Sequence, residues 1–219
     1  MTIERSSEPG EFYIAQGVGP HPEPWPTSHD FDPELLSNGD RRNIIDKFRY
    51  RTVDSIRQEL DESRINCEIA IENWQHDLNI GSLIRTANAF NVSRFHIIGN
   101  KRFNKHGALM TDKYLTLEHH ATAHDFATAV RERGRVIVGC EQLTESVELV
   151  TFRFPENSVI VLGNEGLGLT QEMIAVLDCS FFIPQSGSVR SMNASAAGAI
   201  ALYAWLAQNH STTEGKHER

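Results

Sequence analysis

Three glycines within six residues, Gly163, Gly166 and Gly168, follow directly on the β-branched run Val159 to Leu162. A run so short and apolar reads as a buried strand. Glycines at its end turn the chain sharply and let backbone amides approach a ligand with no Cβ in the way. A second apolar run, Cys179 to Ile183, stops at Pro184, and a loop from Gln185 to Met192 leads into an alanine-rich stretch, almost without charge, from about Asn193 to Gln208. Two loops at strand ends, backed by one apolar helix, describe a small-molecule pocket beside a buried surface. Other chemistries fit less well. The glycines lack the Lys-Ser/Thr of a Walker motif and the glycine order of a dinucleotide fingerprint. Ser186, Ser188 and Ser191 do not form the Gly-x-Ser-x-Gly elbow of a hydrolase. His119, His120 and His124 lie close in sequence, and His120 and His124 have helical spacing, yet no third ligand stands at a recognisable distance, so no metal is expected.

The elements that must position these loops alternate along the chain. Cys67 to Ile71, Phe95 to Ile98 and Val136 to Cys140 read as strands. About Ile80 to Phe90 and His124 to Arg133 read as helices, and Thr170 caps a short helix through Leu177. In the first helix Ile80, Ile84 and Ala87 share one face, with Gly81, Arg85 and Asn88 on the other, so Arg85 points away from the core. Asn91 is placed to close that helix in the left-handed region. The alternation predicts an α/β fold with a mostly parallel sheet flanked by helices.

The motifs resemble those of the SPOUT class of RNA methyltransferases, in its SpoU/TrmH branch. The first is LNIGSLIRTANAFNV at Leu78 to Val92, the second LGNEGLGL at Leu162 to Leu169, and the third IPQSGSVRSMNASAAGAIALY at Ile183 to Tyr203. The resemblance runs from about Asn66 to Gln208. It implies a C-terminal trefoil knot, a homodimer, S-adenosyl-L-methionine as cofactor, and methyl transfer to a ribose 2′-hydroxyl of RNA. Carried over by motif position, the cofactor contacts are Leu162, Gly163, Glu165 and Gly166 in the second motif, and Ile183, Ser191, Met192 and Asn193 in the third. Met192 stands where the family usually has leucine, a volume-conserving exchange. Arg85 matches the proposed catalytic arginine, with Asn79, Glu165, Ser191 and Asn193 around it in the motifs. A guanidinium holds its protons tightly, so stabilising the developing alkoxide suits Arg85 better than acting as the base. Asn79 also reads as a helix cap, as do Ser191 and Asn193.

Composition bounds the partners. The net charge of −8 argues against a generic nucleic-acid binder, but two basic clusters stand out locally. Arg41, Arg42, Arg49 and Arg51 form one, with Lys47 and Arg57, and Lys101, Arg102 and Lys105 form the other, with Lys113. Either cluster serves as an RNA-binding stripe or as a solvated face. Cys67, Cys140 and Cys179 sit in or beside apolar runs without a CxxC pair, which fits reduced core thiols in a cytoplasmic protein. Neither a secretory signal nor a membrane span is read from the chain. Residues 1 to about 38 hold most of the prolines and read as an extended arm, with Trp25 and Phe31 as anchors, while 40 to 60 carry helical periodicity. The domain scheme is therefore a Pro-rich arm plus basic helical extension over 1–62, a SPOUT domain over 63–210, and a disordered tail over 211–219. Transfer RNA is favoured slightly over ribosomal RNA as substrate, because the short helical extension resembles what tRNA-modifying members of the family carry. The competing function is a dimeric RNA-binding scaffold that retains the fold without catalysis.

Overall fold

The computed structural model describes residues 17–74, 80–104, 106–164, 166–189 and 191–209. The chain divides into two units at Glu59/Leu60.

The first unit holds helix α1 (Pro33–Asn38), capped by the Asp32 carboxylate, a 3-10 turn at Asp46–Phe48, and the start of helix α2 (Val53–Asp61). The helical periodicity of residues 40–60 is therefore realised only from Val53 onward. Asp40, fully buried, organises this unit. Its carboxylate accepts from the Arg42 backbone N–H at 3.0 Å, from Arg42 Nε at 2.9 Å and Nη2 at 2.6 Å, and from the Tyr50 N–H at 2.9 Å. Burial works to raise the Asp40 pKa, but these donors and the guanidinium charge hold it below the usual carboxylate value.

The second unit carries a seven-stranded sheet in the order β3-β2-β1-β6-β4-β7-β5. The strands are β1 (Ile65–Asn73), β2 (Val92–Gly99), β3 (Leu117–His120), β4 (Val136–Cys140), β5 (Val147–Glu148), β6 (Ser158–Leu162) and β7 (Cys179–Phe182). Every neighbouring pair is parallel. All strands thus present their C-terminal ends, and the loops that leave them, along one edge. The five expected strands are all present, β1 and β2 longer at both ends and the others within one residue of their expected bounds, and β3 and β5 are added.

Alternation along β1 and β6 sorts side chains to two faces. Cys67, Ile69, Ile71, Ile160 and Leu162 face helices α3 (Ile80–Ala89) and α6 (Ala194–Asn209) in one core. Ala70, Val159 and Val161 face α4 (Ala123–Glu132) and the short α5 (Gln171–Ile174) in the other. α6 comes close because it has Gly198 at the contact: a Cβ there would stand 2.4 Å from Leu83 Cδ1 and 2.9 Å from Leu162 Cδ1. On α3 the expected polar face is half right. Arg85 is exposed, but Gly81 is buried, because Asn104, Gly107 and Ala108 lie on it; a Cβ would meet the Ala108 amide nitrogen at 2.9 Å. Asn91 takes φ 53° after α3, as its residue type suggested.

Candidate functional site

A cleft of about 470 Å³ opens where the chain leaves β4, β6 and β7, lined by Glu141, Leu162, Gly163, Gly166, Ile183, Ser191, Met192 and Ala197 among others. It unites both motif loops, as a pocket at the carboxyl ends of parallel strands should.

The loop after β6 closes on itself. Asn164 N–H donates to the Gly168 carbonyl at 3.1 Å, Gly168 N–H donates back to Asn164 at 2.9 Å, and the Asn164 side-chain oxygen accepts from Gly166 N–H at 3.0 Å. Two glycines are required by this closure. A Cβ on Gly163 would stand 2.3 Å from the Gly168 carbonyl carbon, and Gly168 has φ +67°. Gly163 therefore serves the loop's own packing, whereas Gly166 is exposed toward the cleft.

Two carboxylates that motif reasoning did not single out brace the end of this loop. Glu72, fully buried near the end of β1, accepts from Thr170 N–H at 2.8 Å, Thr170 Oγ1 at 2.7 Å and Trp74 Nε1 at 3.0 Å. Glu141, just past β4, accepts from Leu169 N–H at 3.2 Å. A charged residue inside the apolar run of β1 was the signal for Glu72, since such a group is buried only with partners. Thr170 in turn caps α5 by accepting from Met173 N–H, as expected.

In the third motif Asn193 is the cap of α6, its Oδ1 accepting from Ser195 N–H at 3.0 Å and Ser195 Oγ at 2.8 Å. Ser191 is exposed at the cleft and Met192 packs half-buried against the core. Arg85 is exposed on α3 and does not line the cleft of its own chain. Leu78, Asn79, Lys105 and Glu165 lie outside the described residues.

The two basic clusters differ. Arg42 is bound to Asp40, Arg51 pairs with Glu59 and bonds the Ser55 carbonyl at 3.2 Å, and Arg49 donates to the Arg42 carbonyl at 2.8 Å. Arg41, Lys101 and Arg102 are exposed. The last two are held beside the end of β1, where Asn73 Nδ2 donates to the carbonyls of Asn100 at 2.6 Å and Arg102 at 3.0 Å.

Among the described residues, potential metal ligands gather at His96, Glu118 and His120, with ligand atoms within 4.8 Å of one another. Of the three histidines noted in the sequence, only His120 belongs; His119 and His124 are exposed. His96 bonds Glu68 at 2.8 Å and His120 at 3.0 Å. Glu68 and Glu118 are already matched by Arg94, Arg133 and Arg135 within 4.0 Å, so a dication would meet three guanidinium charges. Burial, with His96 close by, pushes His120 down to about 4 and keeps it neutral. Burial would raise Glu68, but the His96 hydrogen bond and the Arg135 and Arg133 charges hold it low. Cys140 lines the cleft as an inert thiol, pushed up to about 12 by burial and by the neighbouring Glu141 charge.

A parallel α/β unit with a closed glycine loop and a capped-helix loop meeting over one cleft defines a small-molecule-binding α/β protein. Residues 66–203 match the SpoU rRNA Methylase family, and the chain belongs to that family. It is 27% identical over 138 residues to a tRNA (guanosine(18)-2′-O)-methyltransferase of Escherichia coli, with 62% of this chain and 60% of the relative covered. The chain thus spans less than two thirds of that relative's length. Among solved structures, the Aquifex aeolicus TrmH/SpoU tRNA modifying enzyme superposes with a TM-score of 0.63 at 24% identity, over 71% of this chain and 81% of that one. The Streptomyces viridochromogenes SpoU methyltransferase AviRb, solved with the cofactor AdoMet, gives 0.57 at 22% identity, over 66% and 58%.

Proposed function

We propose that this protein transfers a methyl group from S-adenosylmethionine to a ribose 2′-hydroxyl of transfer RNA. The observation that carries the reading is the cleft itself: both family loops converge on it, and its lining combines apolar Leu162, Ile183, Met192 and Ala197 with the glycine loop and Glu141. That mixture suits a nucleoside with a charged tail. When bound, the cofactor supplies an electrophilic methyl carbon on a sulfonium. The chain's own work is then to hold the nucleoside between the apolar side chains and the closed glycine loop, and to stabilise charge where the ribose oxygen loses its proton. Arg85 is assigned that last role by its motif position, together with Asn79, Glu165, Ser191 and Asn193. Transfer RNA is preferred because the E. coli relative is named for it.

The finer features belong to the same proposal. Phosphates of the RNA meet the exposed Arg41, Lys101 and Arg102, because Arg42, Arg49 and Arg51 are engaged within the first unit. Residues 1–62 form an RNA-facing extension and 63–210 the catalytic unit, followed by a tail from 211. The chain pairs as a homodimer through the apolar face of α6, where Ile200 is 40% and Tyr203 66% exposed. The C-terminal segment forms the family's trefoil knot. No helix among the described residues is long and apolar enough to cross a membrane, and the cytoplasm is the proposed location.

The test is transfer of labelled methyl from S-adenosylmethionine to unmodified tRNA and, separately, ribosomal RNA, followed by alkaline digestion. A 2′-O-methyl group blocks cleavage at its own linkage, so label is expected in alkali-resistant dinucleotides from tRNA. Label in mononucleotides would refute ribose methylation, and label only from ribosomal RNA would move the substrate. Arg85→Ala should lower turnover at saturating RNA by about 100-fold or more, as loss of an oxyanion stabiliser does. Near-wild-type turnover would remove Arg85 from the chemistry.

A further inference from the structure

We propose that Glu141 reads the vicinal diol of the cofactor's ribose, each carboxylate oxygen accepting one hydroxyl. The inference rests on the S-adenosylmethionine reading of the cleft and assigns the chain's part in recognising it. Glu141 lines the cleft and is partly exposed to it. Its backbone is fixed: its N–H donates to the Phe181 carbonyl at 2.9 Å, and its carbonyl accepts from Ser146 Oγ at 2.7 Å, an atom that also bonds Ser180 Oγ at 2.7 Å.

The side chain is fixed as well, one oxygen at a time. Oε1 accepts from Gln142 N–H at 3.1 Å and Oε2 from Leu169 N–H at 3.2 Å. Close approach of the loop on this side depends on Gly168, where a Cβ would stand 2.3 Å from Oε2. A carboxylate has about four acceptor positions. With one used on each oxygen, one remains on each, and the two together match two adjacent hydroxyl donors rather than a single one. Among the described residues Glu141 forms no ion pair, and its carboxylate accepts from the Gln142 and Leu169 amides. Glu72, which braces the next residue of the same loop, makes the contrast: its oxygens are buried and taken by Thr170 and Trp74. The first carboxylate holds the loop, and the second holds it while facing the ligand.

The experiment measures binding of S-adenosylmethionine, S-adenosylhomocysteine, 5′-methylthioadenosine and 2′-deoxy-5′-methylthioadenosine to the full chain by calorimetry, in wild type, Glu141→Gln and Glu141→Ala. Hydrogen bonds to a charged group correspond to a loss of about 10- to 100-fold when removed. We expect both substitutions to weaken the three diol-bearing ligands by a similar factor in that range. The 2′-deoxy ligand should bind wild type more weakly and be much less sensitive to either substitution. Weakening of all four ligands alike would show that Glu141 only shapes the loop and would overturn the assignment. Loss for S-adenosylmethionine and S-adenosylhomocysteine with 5′-methylthioadenosine unchanged would move the carboxylate to the cationic end of the cofactor and also overturn it. Wild-type protein that bound none of the four would remove the cofactor reading first, and the diol assignment with it.

Discussion

The two loops that wall the cleft are built differently, although each follows a strand of the same parallel sheet. The loop after β6 is closed by reciprocal Asn164–Gly168 hydrogen bonds and braced from outside by Glu72 and Glu141. Among its described residues, the loop after β7 is exposed from Pro184 to Val189 and is anchored at Met192 and the Asn193 cap. A loop whose amides are satisfied by its own chain keeps its shape without a ligand, while one that is solvated from end to end has little to lose by moving. The first loop is therefore expected to be preformed, and the second to gain order when a ligand binds.

The largest effect should come from Gly163→Ala, which breaks the rigid loop at its tightest point. The new Cβ meets backbone at 2.3 Å rather than the end of a flexible side chain. We expect a stability loss of about 2–4 kcal/mol by thermal melting and a fall in S-adenosylmethionine affinity of about 100-fold or more by calorimetry. Wild-type affinity would mean that the loop is not preformed. Glu72→Ala removes a buried acceptor from three donors and should cost about 2–3 kcal/mol. It should weaken cofactor binding by less than Gly163→Ala does, because Glu141 still braces the same segment.

Much of this contrast could be read from the chain alone, and the rest could not for identifiable reasons. The strands, Arg85 on the outer face of α3, the Thr170 cap and both cleft loops follow from periodicity and residue type. Gly81 was misread because helical spacing says which residues share a face, not what another segment brings to that face; here Asn104, Gly107 and Ala108 cover it. Arg42, Arg49 and Arg51 resemble a basic stripe in sequence, but Asp40 and Glu59 lie near them in the fold and take two of the three. Glu72 and Glu141 brace the cleft loop through partners 98 and 28 residues away, a separation no local pattern encodes.

Acid should separate the two sides of the sheet. The α4/α5 face carries Glu68, His96 and His120, whereas the buried polar side chains on the α3/α6 side of β1 and β6, Asn73 and Ser158, carry no charge. His120 has a native pKa of about 4 against an ordinary 6.5, so the unfolded chain binds more protons between those values. Stability from this group is complete above pH 6.5 and is lost as pH falls toward 4. Glu68 and Asp40, both held low, add their losses at still lower pH. The melting temperature should therefore fall from pH 6.5 to 4, and His120→Gln should flatten that upper part of the profile. An unchanged slope in the variant would mean another group is responsible. The smallest effect is expected for Asn193→Ala, about 1 kcal/mol from a lost helix cap. It falls on the adaptable loop's anchor and should leave the 163–169 loop intact.

Hydrogen exchange of the full chain with and without S-adenosylmethionine tests the comparison most directly. The amides of Asn164, Gly168, Leu169 and Thr170, all hydrogen-bonded within the chain, should already be protected without cofactor and change little on its addition. Those of residues 185–189 should exchange freely alone and gain protection when it binds. Equal protection of both loops without cofactor, or protection appearing in the 164–170 segment only on binding, would contradict the account.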